Sequence, residues 1–222
     1  SKSWLDFQIA GGNHIAEQTR EDGTPNRFIP KGTQELIARW YEDKAYIYDS
    51  RIIDGDEQED LIKTITEAVM QYGIRVVLID NLMTALDLDV AAGSDKYERQ
   101  GAFTKKLERM ALRLNLIILL VAHKRKNSFS ADANDEVSGS ADITNAAGTI
   151  LSYDRDKELS LNERRLIVSK NRLMGKLNFE GFVLSYDEKS KRIYGAGDDV
   201  NRQFGWDKSD GFVSVVDMEI PF

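Results

Sequence analysis

The amino-acid sequence predicts an α/β protein with a mainly parallel β-sheet. Two continuous apolar runs, at residues 74–80 and 116–122, predict strands that are buried on both faces, as is typical of parallel sheets. A helical pattern of apolar residues at 94–115 separates them, so that strand, helix and strand alternate. This order predicts right-handed crossovers with helices packed against the sheet.

The elements before residue 74 follow from the same periodicities. The run "AYIYD" at residues 45–49 predicts a short strand, and residues 56–73 predict a helix with Gly73 as its C-cap. Closer to the N-terminus, an apolar helix at residues 4–9 is followed by a polar loop. A second helix then carries Leu36, Ile37, Trp40 and Tyr41.

The chain changes character after residue 127. The polar run "NSFSADANDEVSGS" predicts a loop. Strands are predicted at residues 149–154, 164–170, 179–187 and 191–195, the last two as an antiparallel hairpin. Residues 197–222 are acidic and glycine-rich and are predicted to be a tail, which leaves residues 1–196 as the main domain.

Composition limits the class of protein. The 222 residues are 41% hydrophobic, which suits a globular domain with a sizeable core. The absence of cysteine excludes a disulfide framework and fits a reducing compartment, and no apolar stretch approaches the roughly 20 residues that span a bilayer. We therefore expect a cytoplasmic protein without membrane contact. The net charge of -7 restricts any nucleic-acid contact to a local patch.

Two polar residues end the two central strands. Asp80 ends the first strand and His123 ends the second, and the carboxyl ends of parallel strands lie at one edge of a sheet, where ligands bind. An aspartate after an apolar strand is typical of a Walker B carboxylate, which holds Mg²⁺ beside a nucleotide's phosphates. A helix-capping role for Asp80 and a purely hydrogen-bonding role for His123 remain open as alternatives.

Five blocks in order carry a family resemblance: "VVLIDNL", "IILLVAHKRK", "VSGSADITNAAGTIL", "LIVSKNRLMG" and "FVLSYD". Together they resemble the RecA-like motor domain of DnaB-type hexameric replicative helicases, especially Twinkle-type mitochondrial helicases and phage primase-helicases. The likeness spans residues 74–195. It implies a RecA-like three-layer fold with a mainly parallel sheet, a C-terminal antiparallel hairpin and a truncated N-terminus.

The resemblance also implies roles near a nucleotide and near DNA. Asp80 would direct Mg²⁺, through water, at the phosphates of ATP or another NTP, and His123 would sense the γ-phosphate. The following loop would line a central channel for single-stranded DNA. Its predicted DNA-binding residues are Lys124, Arg125, Lys126, Ser138, Gly139 and Ser140. A solvated turn at residues 124–126 is the alternative interpretation.

The run "SKNR" matches the family's Lys-x-Arg pair. By this resemblance, Lys170 and Arg172 are catalytic, and Arg172 acts as an arginine finger on the nucleotide of a neighbouring subunit. This role implies a homo-oligomeric ring, which we expect to be a hexamer. Salt bridges from these cations to Asp154 or Asp156 are the structural alternative.

Two further positions are assigned to the nucleotide by resemblance. Tyr186 stands where relatives place an aromatic ring against adenine, and a role in the strand's core is the alternative. Asn145 stands where relatives have glutamine, and Gly148 where they have aspartate. These departures put the phosphate-sensing role of Asn145 in doubt.

A phosphate-binding loop is absent from the sequence. Nucleotide cradling requires GxxxxGK[ST], and the single Gly-Lys pair, Gly175–Lys176, is followed by leucine without the upstream glycine. In the family this loop and the catalytic glutamate precede the matched region. Two functions stay open: the C-terminal part of an ATP-dependent replicative DNA helicase, and a catalytically inactive RecA-like module that binds DNA or the replisome. A recombinase core is a more distant alternative.

The last six residues, "DMEIPF" at 217–222, resemble the acidic tips of bacterial single-stranded-DNA-binding proteins. Such a tip offers an apolar anchor and a carboxylate to a basic pocket. We therefore expect polymerase or another replisome protein as a partner of the tail. An accidental or self-packed terminus is the alternative.

Overall fold

A computed structural model describes residues 2–48, 61–87, 96–123 and 141–206 of the chain. The chain divides into two compact units. The first unit consists of Ser1–Tyr48, Asp154–Arg165 and Phe182–Phe222, and the second consists of Asp49–Tyr153 and Leu166–Gly181. Residues 1–196, predicted as one main domain, are thus shared between the two units.

The described residues form an α/β arrangement of six α-helices and eight strands. The helices are α1 (Lys2–Ala10), α2 (Lys31–Tyr41), α3 (Leu61–Tyr72), α4 (Leu82–Asp87), α5 (Lys96–Leu114) and α6 (Ala141–Ala146), with a 3-10 turn at Gly12–His14. The strands are β1 (Ala16–Thr19), β2 (Pro25–Phe28), β3 (Val76–Ile79), β4 (Ile117–Leu120), β5 (Thr149–Asp154), β6 (Glu163–Asn171), β7 (Asn178–Tyr186) and β8 (Ile193–Gly195).

The parallel pairing predicted for the two central strands is confirmed in the second unit. Strands β3 and β4 run parallel, with Val76 opposite Ile117 and Ile79 opposite Leu120. Helices α3 and α5 contribute to the same core, in which Phe103 is fully buried. Helix α3 ends at Tyr72, and Gly73 follows with φ +66°, the left-handed conformation expected of a C-cap glycine.

The prediction that these strands are buried on both faces is wrong for the described residues. Val77 and Ile118 pack against the core, whereas the alternate residues face outwards. The exposed fractions are 53% for Val76, 65% for Leu78, 60% for Ile117 and 49% for Leu119. The reason is that the described part of this sheet has two strands, and the helices that share its core lie on one face.

The first unit has its own core, built from α1, α2 and the end of the described chain. Its buried members are Ile9, Ala10, Ile15, Ile29, Ile37 and Trp206. Trp206 donates its indole N–H to the carbonyl of Ile9 at 3.0 Å. The predicted tail therefore packs in this unit as far as Trp206, while residues 207–222, including the tip, lie outside the described residues.

The later strands agree with the sequence, whereas several short elements do not. Strands β5 to β8 form a sheet in that order, and β7 pairs antiparallel with β8 as predicted. The strand predicted at residues 45–49 is wrong for residues 45–48, which have no regular structure. Helices α4 and α6 and the antiparallel β1–β2 hairpin were not predicted, because each is too short or too polar to show periodicity. In the described ranges, no helix combines the length and the apolar character needed to cross a membrane.

Candidate functional site

Asp80 and His123 lie at the same edge of the β3–β4 sheet. Asp80 directly follows Ile79, and His123 follows Leu120 by three residues, while Ile79 and Leu120 are opposite each other in a parallel register. Both side chains are exposed to solvent. Within the part of the chain that the structure describes, the edge is therefore open to a ligand from the side on which the strands end.

Asn81 connects the two strand ends. Its amide Nδ2 lies 3.4 Å from Nε2 of His123, and its Oδ1 accepts the N–H groups of Met83 at 3.0 Å and Thr84 at 3.2 Å. Asn81 is thus the side chain that caps α4. Asp80 does not cap this helix, because no hydrogen bond among the described residues uses the Asp80 carboxylate. The Asp80–Asn81 peptide bond is cis.

Asn81 was not predicted as a site residue, although the sequence contains a signal for it. Asparagine directly before a short apolar run is a typical N-cap, and it follows the predicted catalytic aspartate. Together with Leu82, Met83, Ala122 and His123, it lines a cavity of about 20 Å³. A cavity of this size holds about one water molecule, so a nucleotide would bind outside it.

Lys170 and Arg172, at the end of β6, have different environments. The Lys170 ammonium donates to the backbone carbonyls of Thr144 and Asn145, near the C-terminus of α6. Burial lowers the pKa of Lys170, and the neighbouring charge of Arg172 lowers it further, against an opposing effect of Glu108. Lys170 therefore has a structural role on α6, which does not depend on any ligand.

The guanidinium of Arg172 is exposed, and the described residues give it no hydrogen bond or ion pair. Its backbone N–H donates to the carbonyl of Gly148 at 2.8 Å, which fixes the strand end. The proposed structural partner Asp156 instead binds Arg165, with nitrogen–oxygen distances of 2.6 and 2.7 Å. Arg172 is therefore available to a group outside the described chain.

The remaining predicted nucleotide contacts belong to different units. Asn145 is exposed in the second unit, where its backbone carbonyl accepts Lys170. Tyr186 belongs to the first unit, where it stacks on Trp4 with ring centroids 6.0 Å apart. The Lys191 ammonium lies 5.9 Å from the centre of the same tyrosine ring. Tyr186 thus has aromatic and cationic neighbours within its own unit.

The predicted DNA-binding residues belong to the stretch of sequence between His123 and α6. All six lie outside the described residues: Lys124, Arg125, Lys126, Ser138, Gly139 and Ser140. Their assignment remains a prediction based on the sequence.

Comparisons with known proteins gave a match to a family model. No curated protein matches the sequence. One family match covers just under half of the 222 residues, and the matched range includes Asp80, Asn81 and His123. By this match, residues 20–128 are similar to the family described as AAA domain, which indicates an ATPase-type, nucleotide-hydrolysing module.

Proposed function

We propose that this chain is the C-terminal part of an ATP-dependent replicative DNA helicase. In the complete protein, NTP hydrolysis drives translocation on single-stranded DNA and unwinding of the duplex. The observation that carries the proposal is the parallel pairing of β3 and β4, which brings Asp80 and His123 to one edge of the sheet. The described residues give the Asp80 carboxylate no hydrogen bond. This edge lies inside the range that is similar to an ATPase-type module.

The residues at the edge fit a magnesium–nucleotide complex. Mg²⁺ in nucleotide sites is held by one or two carboxylates, by water and by the substrate's phosphates, so it does not need a cage of protein ligands. Among the described residues, no cluster of three His, Asp or Glu side chains could hold a metal alone. Asp80 would therefore direct the ion from the protein side, and His123 would face the terminal phosphate.

The exposed apolar face of the β3–β4 sheet supports a motor domain that contains more polypeptide than the described residues. Parallel sheets are normally covered by helices on both faces, and Leu78 and Leu119 lie opposite each other on the open face. Polypeptide carrying the phosphate-binding loop that this sequence lacks would cover that face in the complete helicase. The same lack of a loop favours the second candidate, a catalytically inactive module that binds DNA or replisome proteins.

Measurements of ATP hydrolysis distinguish the two candidates. The purified chain alone should hydrolyse no ATP, with or without single-stranded DNA, because nothing cradles the β- and γ-phosphates. A longer protein that contains this chain together with a phosphate-binding loop should show hydrolysis stimulated by single-stranded DNA. Asp80→Ala should abolish that hydrolysis, whereas Glu67→Ala, which removes an exposed carboxylate of α3, should not.

Two outcomes would contradict these expectations. Hydrolysis by the chain alone, abolished by Asp80→Ala, would reveal a phosphate site of a different kind. A longer protein that binds DNA without hydrolysing ATP would favour the inactive module.

A further inference from the structure

The side chain of Asn81 makes two kinds of contact at once. Its Oδ1 accepts two backbone N–H groups at the start of α4, from Met83 at 3.0 Å and Thr84 at 3.2 Å. Its Nδ2 lies 3.4 Å from Nε2 of His123. The amide is therefore shared between a helix terminus and an imidazole.

The two backbone contacts determine which way the amide faces. If the oxygen and nitrogen were exchanged, the NH₂ group would face two backbone N–H donors, and both hydrogen bonds would be lost. Hydrogen-bond partners of this kind are what decide the orientation of an asparagine amide. The oxygen of Asn81 thus faces α4, and its NH₂ group faces His123.

The orientation of the amide in turn selects a form of the histidine. The Asn81 NH₂ group can only donate, so Nε2 of His123 must accept, and an imidazole nitrogen accepts only when it carries no proton. The ring is then neutral, with its proton on Nδ1. An unconstrained histidine side chain favours the opposite tautomer, with the proton on Nε2.

We infer that Asn81 is a positioning residue that holds His123 as the neutral Nδ1–H tautomer. The ring then offers one N–H donor, at Nδ1, to a phosphate oxygen. The role toward phosphate rests on the proposed function, whereas the tautomer itself does not.

The backbone around the pair supports a fixed geometry. The N–H of Leu82 donates to the carbonyl of Val121 at 2.9 Å, and the N–H of Val121 donates to the carbonyl of Ile79 at 2.9 Å. These bonds join the segment carrying Asn81 to the segment carrying His123. A side-chain contact supported in this way holds a functional group in place more accurately than one between separate loops.

The tautomer can be measured by nitrogen NMR on the chain labelled with ¹⁵N-histidine. The sequence contains two histidines, so two imidazole spin systems are expected, and the His123→Gln variant identifies the one that disappears. At about pH 8, His123 should show a protonated Nδ1 and an unprotonated Nε2. A protonated Nε2 on His123 of the unaltered chain overturns the inference without any variant.

Asn81→Asp tests whether Asn81 is the cause. The carboxylate retains an oxygen for the Met83 and Thr84 N–H groups, so α4 stays capped, but it presents an acceptor to Nε2 in place of a donor. The ¹⁵N signals of His123 should then show an unprotonated Nδ1 and a protonated Nε2, because the proton moves to Nε2. Asn178→Asp is the matched control, because Asn178 also accepts a backbone N–H, from Gly181 at 2.9 Å, without contacting a histidine.

The control variant should leave the signals of His123 unchanged. If Asn81→Asp leaves the Nδ1–H tautomer in place, Asn81 does not select it and the inference is wrong. These measurements need no ATP, so a failed ATPase assay would remove the proposed function and leave the tautomer assignment standing.

Discussion

At the scale of single residues, several polar side chains in this chain bind backbone groups. Arg192 is 8% exposed, and its guanidinium donates to the carbonyls of Gln8, Ile9 and Val200. It also lies 5.0 Å from the ring centre of Phe204. Burial lowers the pKa of Arg192, although Asp199 and Asp187 oppose the change. This arginine thus stabilises the end of α1.

Asp187 provides a pH-dependent contribution to stability. Burial alone would raise the pKa of Asp187, but hydrogen bonds from the Ser190 hydroxyl at 2.6 Å and backbone N–H at 2.7 Å outweigh it and lower that pKa. The folded pKa is therefore below the unfolded value of about 3.9. The stabilisation is present above that value and is lost as the pH falls through the folded pKa.

Ser190→Ala should therefore lower the free energy of unfolding at neutral pH by about 1 kcal/mol and weaken its dependence on pH below about 4. The measurement is the urea midpoint between pH 2 and pH 7. Ser152→Ala is the control, since Ser152 is a buried serine to which the structure gives no carboxylate partner in the described ranges. An equally steep pH dependence in both variants would contradict the role of Ser190.

At the scale of elements, one face of the β3–β4 sheet is buried and the other is exposed among the described residues. Two neighbouring isoleucines, one on each face, test how much each face contributes to stability. Ile118→Ala should lower the free energy of unfolding by about 2 kcal/mol, because Ile118 packs against the core of the second unit. Ile117→Ala should cost less than about 1 kcal/mol, since Ile117 is 60% exposed. The two urea midpoints measure the difference, and equal losses would mean that the outer face is covered in solution.

The sequence pattern predicted the longer helices and the apolar strands, and it missed the short helices and the polar hairpin for a physical reason. A run such as "VVLI" or "IILL" is apolar enough to predict β3 and β4, and their order predicts that they are parallel. A continuous apolar run does not tell whether other polypeptide covers both faces, so the exposure of Leu78 could not be predicted. Helix α4 spans six residues, which is less than two turns, and therefore shows no period of its own.

The position of the candidate site could be predicted from the sequence, whereas its tertiary contacts could not. Parallel strands bring Asp80 and His123 to one edge, and this placement follows from the sequence. The hydrogen bonds from Lys170 to α6 could not be predicted from the sequence. They join the Lys170 ammonium to backbone carbonyls that lie 25 and 26 residues earlier in the chain. The contact of Asn81 with His123, 42 residues apart, likewise depends on the register of β3 and β4.

At the scale of the whole molecule, the resemblance of "SKNR" to the family's Lys-x-Arg pair predicts that Arg172 acts on a neighbouring subunit. It is exposed and starts a fixed turn, in which Asn171 accepts the N–H groups of Met174 at 3.2 Å and Gly175 at 2.8 Å. Gly175 has φ +66°, which a glycine adopts without strain. The described part of the chain gives the guanidinium no anion, so its partner would lie outside that part.

In a longer protein that has the proposed function, Arg172→Ala should reduce ATP hydrolysis by roughly 10³-fold or more, because an arginine finger stabilises charge on the transferred phosphoryl group. Folding and nucleotide affinity should stay nearly unchanged, since this side chain holds no described element together. Lys176→Ala is the matched control, because Lys176 is an exposed cation of the same turn and should retain activity.

Mixing decides whether Arg172 acts across a subunit interface. When the Arg172→Ala protein is combined with a variant defective in its phosphate-binding loop, some interfaces receive an intact arginine from one subunit and an intact loop from its neighbour. Those interfaces should hydrolyse ATP, so activity should rise above that of either variant alone. Complementation requires only that an intact Arg172 and an intact phosphate-binding loop meet at one interface. If rings shown by mass spectrometry to contain both variants stay inactive, Arg172 acts within its own subunit or on no nucleotide.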